Sequence, residues 1–159
     1  MPKLIKYLIN HWSASSKKVT VSDLRHIHLS KGWRDIGYHR IILHPESRDF
    51  AKFEPTKWFH LVKMGRELDN DPFIEQNEVG AHTLYHNSDS VGICTVGHPD
   101  YGLHPLQEQA IIMTNMALAA RFNLLSRLDD AIKGHRDFNP TQCPGDEIYE
   151  LLQHIREDN

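Results

Sequence analysis

The chain has 159 residues, which is enough for one hydrophobic core and too few for two ordinary domains. Apolar residues make up 40% of it, charged residues make up 25%, and the formal net charge is −3. This balance excludes a disordered chain and a strongly basic one, so we expect a single globular domain over residues 1–159 and no nucleic-acid partner.

Cysteine usage and the N-terminal sequence indicate the compartment in which the protein works. The two cysteines, Cys94 and Cys143, are too few for a disulfide framework. Cys94 lies in an apolar run and is predicted to be a buried free thiol. The N-terminal segment has no signal-peptide cleavage site, and no apolar run approaches a membrane span of about 18 residues. We therefore expect a cytoplasmic protein with no signal peptide and no membrane span, and we expect a monomer.

Strand-forming residues recur in short runs along the chain. The predicted strands cover residues 4–10, 37–43, 57–63, 90–97 and a short stretch near 128–135. The run SVGICTVG, residues 90–97, is apolar on both faces, which is typical of a central strand. His11 follows the first run directly and is predicted to lie where a strand meets its loop. The stretch 65–89 has little periodicity, and a loop of that length is typical of a functional or mobile segment.

Three segments have the periodicity of helices. The first is capped by Thr20 or Ser22 and runs to about Lys31, the second covers about residues 105–122, and the third covers residues 145–158. The residues of the second helix that are predicted to face the core are Leu106, Ala110, Ile111, Met113 and Ala117. Helices that alternate with strands around one central sheet predict a single α/β domain.

One turn-rich stretch near the end of the chain contains side chains that suit a metal ion. GHRDFNPTQCPGD, residues 134–146, holds His135 and Cys143 between glycines and prolines. Zinc binds histidine nitrogen and cysteine sulfur, and a catalytic zinc site has three protein ligands and an open fourth position. The pair by itself is more typical of a structural turn than of a metal site. His11, at the end of the first strand, is the candidate for a third ligand.

Four stretches of the chain resemble one protein family. They are LINHWSAS, GWRDIGYHRII, GAHTLYHNSDSVGICTVG and GHRDFNPTQCPGD, in the order and at the separations found in the zinc-dependent N-acetylmuramoyl-L-alanine amidases. That family includes phage lysozyme-type endolysins and peptidoglycan recognition proteins, and the resemblance extends from about residue 6 to residue 152. It implies a mixed sheet flanked by helices and one zinc ion per chain, held by His11, His135 and Cys143.

The resemblance also implies roles for side chains around the metal. Tyr38 matches the family's essential tyrosine, and His82 and Asn87 match a histidine and an asparagine of the substrate groove. Thr141 stands at a position where many phage members have lysine. Catalytic animal members have threonine at this position, as this chain does. Its hydroxyl can donate a hydrogen bond to an oxyanion but carries no charge. Tyr85 stands where the pattern usually has glycine, which bears on the shape of the groove.

The implied activity is hydrolysis of the amide between N-acetylmuramic acid and the L-alanine of the stem peptide, with peptidoglycan or a muropeptide as substrate. Tyr38 is expected either to act as a base or to orient a water molecule. Two other classes stay open, a module that binds peptidoglycan without cutting it and a structural zinc protein.

The biological setting follows from the same resemblance. A lone catalytic domain without an export signal indicates a phage-type endolysin, held in the host cytoplasm until the membrane is breached and then acting on the cell wall. A bacterial wall-recycling amidase is the alternative, although that branch generally has aspartate in place of Cys143.

Overall fold

The structure is a computed structural model that describes residues 4–66, 69 and 71–158. The strands within these residues are β1 (Tyr7–Trp12), β2 (Arg40–Ile42), β3 (Val62–Met64), β4 (Ser90–Thr95) and β5 (Ile132–Gly134). The α-helices are α1 (Val21–Ser30), α2 (Pro105–Arg121), α3 (Leu128–Ala131) and α4 (Asp146–Glu157). The predicted α/β class is confirmed, with strands and helices alternating along most of the chain.

The strands form one five-stranded mixed sheet in the order β3-β2-β4-β1-β5. β1 pairs in parallel with β4 and with β5, and β2 pairs in parallel with β4. β3 runs antiparallel to β2 at one edge. The central position predicted for residues 90–97 is confirmed, because β4 lies in the middle of the sheet. The carboxyl ends of β1, β2, β4 and β5 therefore meet at the same side of the sheet.

Helices cover both faces of the sheet. The larger core cluster contains side chains from α2, α3 and α4, and the smaller one contains Leu24 of α1. Ile41 and Ile42 enter different clusters because successive strand residues point to opposite faces. His11 and Ile41 are both register partners of Cys94, so His11 points to the face that carries α1. Cys94 is fully buried and free, as predicted.

All five predicted strands differ at one or both ends from the strands of the structure. β1 begins later than predicted and includes His11, so this histidine belongs to the strand rather than to the following loop. The segment 57–63 is a strand only at its end, because Trp58–His60 forms a 3₁₀ turn. Backbone bonds from His60 to Lys57 and from Leu61 to Trp58 close that turn. The aromatic residues of this segment favoured a strand. Such residues are frequent in strands largely because they pack well against a core, so they are weak evidence for the backbone conformation itself.

The N-terminus of α1 shows which of the two candidate caps is used. The Thr20 hydroxyl accepts a hydrogen bond from the Asp23 amide at 3.0 Å, and the Asp23 carboxylate accepts one from the Thr20 amide at 2.9 Å. This reciprocal pair is a capping box, which satisfies two backbone groups that the first helical turn leaves free. The helix ends at Ser30, close to the predicted Lys31.

The buried face of α2 includes the predicted Ala110 and Ile111 but differs from the prediction at the other three positions. Met113 is 44% exposed, Ala117 is also exposed, and Leu106 is only partly buried. The buried residues of this helix are Gln107, Ala110, Ile111, Thr114, Asn115, Leu118 and Ala119. The apolar stripe was wrong at these positions because the helix buries polar side chains that have specific partners.

Those partners join α2 to the sheet. The Gln107 amide nitrogen donates to the Val96 carbonyl at 2.8 Å. Asn115 and Asn10 of β1 each donate a hydrogen bond to the other's amide oxygen, both at 2.9 Å. Buried amides of this kind are tolerated only when they are paired, so they specify how the helix lies on the sheet.

The predicted loop 65–89 contains no α-helix or strand among its described residues, and residues 67, 68 and 70 lie outside the description. Arg66, 8% exposed, anchors its first part by donating from its guanidinium to the carbonyls of Asp35, Ile36 and Val79. The loop is therefore held against the segment that precedes β2. No helix in the described part of the chain is long and apolar enough to span a membrane.

Replacement of Asn115 by alanine is expected to destabilise the fold, because it leaves the Asn10 amide buried without its partner. We expect the free energy of unfolding to fall by about 1–3 kcal/mol in urea titrations. Met113→Ala on the exposed side of the same helix is the matched control and should change it by less than about 0.5 kcal/mol. Equal losses in the two variants would contradict the buried face described above.

Tyr85 provides a second stability test, because its backbone lies in the left-handed region with φ 71° and its side chain is 84% exposed. Tyr85→Gly should raise the free energy of unfolding by about 0.5 kcal/mol, the strain relieved minus the extra flexibility of the unfolded chain. Leu84→Gly, at an exposed neighbour without positive φ, should lower it by about 0.5–1 kcal/mol. A loss of stability in both variants would show that Tyr85 is not strained.

Candidate metal centre and active site

Three predicted ligands meet at the carboxyl side of the parallel strands. One ligand atom from each of His11, His135 and Cys143 lies within 4.8 Å of the others. His11 is 2% exposed, and the other two are partly buried. The Cys143 Sγ lies 3.7 Å from Nδ1 of His11, and the rings of His11 and His135 have centroids 4.7 Å apart. The group could hold a metal ion, and two imidazoles with one thiolate are ligands that zinc accepts.

The strands bring the two histidines together. Asn10 of β1 pairs with Gly134 of β5, so His11 and His135 are the next residues on neighbouring parallel strands. His135 opens a 3₁₀ turn, His135–Asp137, directly after β5. The sheet thereby joins residues that are distant in the chain.

A hydrogen-bonded loop brings Cys143 back to His135. The Arg136 amide donates to the Cys143 carbonyl at 2.9 Å, and the Cys143 amide donates to the Thr141 hydroxyl at 3.2 Å. The Trp12 amide donates to the Cys143 Sγ at 3.4 Å. The turn between the two prolines is thus built so that its thiol faces β1. The turn is therefore structural, and it also brings together a thiol and an imidazole that could bind a metal.

Each histidine uses one ring nitrogen for a protein contact and keeps the other for the centre of the group. Nε2 of His135 lies 2.9 Å from the Asn139 side-chain oxygen. The Asn139 amide nitrogen donates to the Phe138 carbonyl, so the oxygen is the atom that faces His135 and accepts a hydrogen bond from its Nε2–H. Nε2 of His11 lies 2.9 Å from Nδ1 of His82. The Nδ1 atoms of His11 and His135 therefore remain for a metal, and the second contacts hold the rings in place.

Burial determines the charge of these groups. Burial, and then the neighbouring His135, lowers the pKa of His11 well below its ordinary value, so His11 is a neutral imidazole with a lone pair. Burial raises the pKa of the Cys143 thiol to about 11, while the Trp12 amide and Arg136 act in the opposite direction. A bound cation favours the thiolate strongly, because a coordinated thiol loses its proton.

Tyr38 lies beside the three ligands. Its ring centroid is 5.0 Å from that of His11. Burial raises its pKa well above the ordinary value, and Cys94 and Cys143 act in the same direction, so the hydroxyl keeps its proton. The Arg66 amide donates to the Tyr38 carbonyl at 2.7 Å, which holds the backbone of this residue. The protonated hydroxyl can donate a hydrogen bond to a negative oxygen.

Thr141 lies in a cleft that borders the ligands. The cleft has a volume of about 570 Å³, and Trp12, Arg136, Thr141 and Cys143 contribute to its walls. Thr141 is exposed, and its hydroxyl already accepts the Cys143 amide. It can still donate its own proton outward, so the cleft offers a hydrogen-bond donor next to the thiol.

His82 and Asn87, the two predicted groove residues, both have protein partners in the structure. His82 is 8% exposed, and burial followed by His11 lowers its pKa well below the ordinary value. Its ring contacts His11 instead of open space. The Asn87 side-chain oxygen accepts hydrogen bonds from the amides of His82 and Thr83 at 2.7 and 2.9 Å. Asn87 therefore supports the loop that carries His82.

Sequence patterns missed several residues that support the site. Asn139, Thr83 and Ser90 contact the rings of the two histidine ligands or of His82, yet none belongs to a metal-binding spacing. His28 of α1 is another such residue, and it is 6% exposed. Its Nδ1 accepts the Gly37 amide at 2.8 Å, one residue before Tyr38. The only local signal for its burial was its position four residues after Leu24, which places the two side chains on the same face of α1.

Comparison with known proteins gives one consistent answer. The family model described as N-acetylmuramoyl-L-alanine amidase matches residues 1–146. An endolysin of Klebsiella phage KP32 is 30% identical over 142 residues, which cover 84% of this chain and 76% of the endolysin.

Solved structures show the same fold. The N-acetylmuramoyl-L-alanine amidase LysC from Clostridium intestinale URNW superposes with a TM-score of 0.71 at 22% identity, covering 97% of this chain and 87% of that one. The ectodomain complex of peptidoglycan recognition proteins LCa and LCx, bound to tracheal cytotoxin, contains a chain with a TM-score of 0.68 at 21% identity, covering 94% and 81%. The match of the family model to residues 1–146 shows that this chain belongs to the N-acetylmuramoyl-L-alanine amidase family.

Proposed function

We propose that this protein hydrolyses the amide bond between N-acetylmuramic acid and L-alanine in peptidoglycan, with one zinc ion held by His11, His135 and Cys143. The observation that carries the proposal is the convergence of these three side chains within 4.8 Å, next to the Tyr38 ring and an open cleft. A module that only binds peptidoglycan needs none of these three ligands for its function.

The chain's own residues have distinct tasks in this reaction. A zinc ion, when bound, supplies a Lewis acid for the amide carbonyl and lowers the pKa of water toward neutrality. Tyr38 donates its hydroxyl proton as a hydrogen bond to the oxygen that becomes negative when the amide is attacked. Its raised pKa favours this donor role over that of a phenolate base. Thr141 offers a second donor from the cleft wall.

The departing nitrogen of L-alanine must gain a proton before it leaves. Tyr38, whose ring lies beside His11, is the candidate that passes to this nitrogen the proton lost by the attacking water, so its hydroxyl is protonated before and after the step. The net result is one water consumed, one carboxylate formed on the lactyl group and one protonated amine (ammonium) on the stem peptide. Thr141 remains neutral throughout and contributes only hydrogen bonding.

The biological setting is part of the proposal. Resemblance to a phage endolysin supports a protein that remains in the host cytoplasm until the membrane is breached and then degrades the cell wall. A cysteine at position 143 favours this over the wall-recycling branch, which generally has aspartate there. We further propose that residues 1–159 act as one catalytic domain and as a monomer, with peptidoglycan or a muropeptide as the substrate.

A second candidate function has a specific observation in its favour. A structural neighbour is a peptidoglycan recognition protein complex bound to tracheal cytotoxin, so this fold also serves for recognition. Mass spectrometry of soluble products after incubation with purified peptidoglycan separates the two. Stem peptides that begin with L-alanine, lost with a chelator and restored by added zinc, support the amidase. Binding without any cleaved bond under every metal condition supports the recognition module instead.

Removal of one ligand tests the zinc assignment. Cys143→Ala should bind zinc more than about 100-fold more weakly than the unmodified protein and should release no stem peptide, because two imidazoles alone hold the ion poorly. Cys94→Ala removes the other, fully buried thiol and should keep zinc. Zinc content is measured after dialysis and competition with a chromophoric chelator. Full activity of zinc-free Cys143→Ala would overturn the assignment.

Removal of the Tyr38 hydroxyl tests its proposed role separately. Tyr38→Phe should keep zinc affinity unchanged while kcat falls by about 100-fold or more, since the lost hydrogen bond acts only on the developing charge. Tyr101→Phe, at a 52% exposed ring, serves as the control and should retain kcat. An unchanged kcat in Tyr38→Phe would reduce this residue to a packing role.

A further inference from the structure

A chain of hydrogen bonds extends from His11 away from the metal ligands. Nε2 of His11 lies 2.9 Å from Nδ1 of His82, and Nε2 of His82 lies 3.3 Å from the Ser90 hydroxyl. The Ser90 hydroxyl in turn contacts the backbone carbonyl of His86. His11, His82 and Ser90 are 2%, 8% and 1% exposed, so their polar atoms depend on one another for hydrogen bonding.

The direction of every proton in this chain follows from its far end. A carbonyl oxygen can only accept, so the Ser90 hydroxyl donates its single proton to the His86 carbonyl. The Ser90 oxygen then accepts a hydrogen bond from the Nε2–H of His82. A neutral imidazole has only one ring proton, so Nδ1 of His82 is an acceptor. Nε2 of His11 must therefore carry the proton of that contact.

Thr83 agrees with this direction. Its hydroxyl oxygen lies 3.0 Å from Nδ1 of His82 and 3.4 Å from Nε2 of His11. A hydroxyl can donate to the first nitrogen and accept from the second at the same time. The Nε2 proton of His11 is then shared between Nδ1 of His82 and the Thr83 oxygen, and no donor in the chain faces another donor.

The consequence for His11 lies at its other nitrogen. With the proton on Nε2, the lone pair is on Nδ1, the atom that lies 3.7 Å from the Cys143 Sγ. A metal can bind only that lone pair, and the opposite tautomer would present an N–H to the ligand group. The His82 chain therefore selects the form of His11 that can coordinate.

Packing fixes the orientation of the His82 ring as well. A Cβ atom added to Gly92 of β4 would lie 2.6 Å from two atoms of this ring, so the ring uses the space that only glycine leaves. The backbone amide of His82 is held by Asn87. His82 thus has little freedom to turn away from His11. His135 has its own local support in Asn139, so the two histidine ligands are oriented by independent contacts.

We propose that His82 and Ser90 form a relay that holds His11 in its Nε2–H tautomer and aims Nδ1 at the metal. The proposal rests on the proposed zinc site and gives His82 the role of a positioning residue in place of a substrate contact. Ser90 acts through His82, and the His86 carbonyl ends the relay.

The first experiment measures the tautomers directly. Nitrogen-15 chemical shifts of the histidine rings in the zinc-free, unmodified protein should show the proton on Nε2 of both His11 and His82. Ser90→Ala should produce a mixture of tautomers at His82 and a corresponding mixture at His11. A His11 ring protonated on Nδ1 in the unmodified zinc-free protein overturns the relay, and this outcome needs no variant to fold.

The second experiment measures zinc affinity by competition with a chromophoric chelator. His82→Ala should bind zinc about 10–100-fold more weakly than the unmodified protein, and Ser90→Ala should show a smaller loss in the same direction. Excess zinc should restore a large part of the activity of Ser90→Ala, because the relay acts through affinity. His26→Ala, at an exposed position of α1, removes an imidazole outside the relay and should leave affinity unchanged.

The two proposals fail in different ways. An unmodified protein that neither retains zinc nor cleaves peptidoglycan contradicts the amidase assignment itself. An unmodified protein that binds zinc and cleaves, with Ser90→Ala and His82→Ala showing unchanged zinc affinity and unchanged tautomers, contradicts only the relay. Circular dichroism of each variant is recorded first. If His82→Ala does not fold, Ser90→Ala and the tautomers of the unmodified protein decide the outcome.

Discussion

Parallel pairing of β1 with β5 is the interaction on which the candidate metal centre depends. The register aligns Asn10 with Gly134, so His11 and His135 leave neighbouring strands side by side. Successive strand residues face opposite sides, and a slip of one position would turn His11 from the α1 face to the face of α2 and α4. The ligand group is therefore a product of backbone hydrogen bonds in the sheet more than of contacts among the ligands.

Buried polar side chains help to specify that register. The Asn10–Asn115 pair joins β1 to α2, and Gln107 joins the same helix to the backbone after β4. A shifted helix would leave these amides without partners, at a cost of about 1–3 kcal/mol for each. Apolar packing supplies most of the stabilisation of a domain but tolerates rearrangement. The paired amides discriminate between arrangements that apolar packing alone would accept.

The site combines a rigid side and a side made of loops. His11 lies within a strand, and His82 closes the space behind it. His135 and Cys143 belong to a segment held by its own backbone bonds, and the cleft lies beside that segment. Residues on loops are free to vary in sequence around a fixed scaffold, which is where Thr141 and Tyr85 depart from the patterns of related proteins. The positive φ of Tyr85 gives a physical reason for the glycine that is usual there.

Local patterns in the sequence determined α1, the last helix, the central apolar strand and the α/β class, because propensity and periodicity depend on neighbouring residues. Four ordered motifs also indicated the family and the ligand set. Tertiary structure decided that His11 lies within β1, that α2 buries Asn115 instead of Met113, and that His82 contacts His11. The partners in these contacts lie far apart in the chain, 71 residues for His11 and His82 and 105 for Asn10 and Asn115. A local period cannot report such a contact, because it arises only when the sheet has paired and the helices have packed on it.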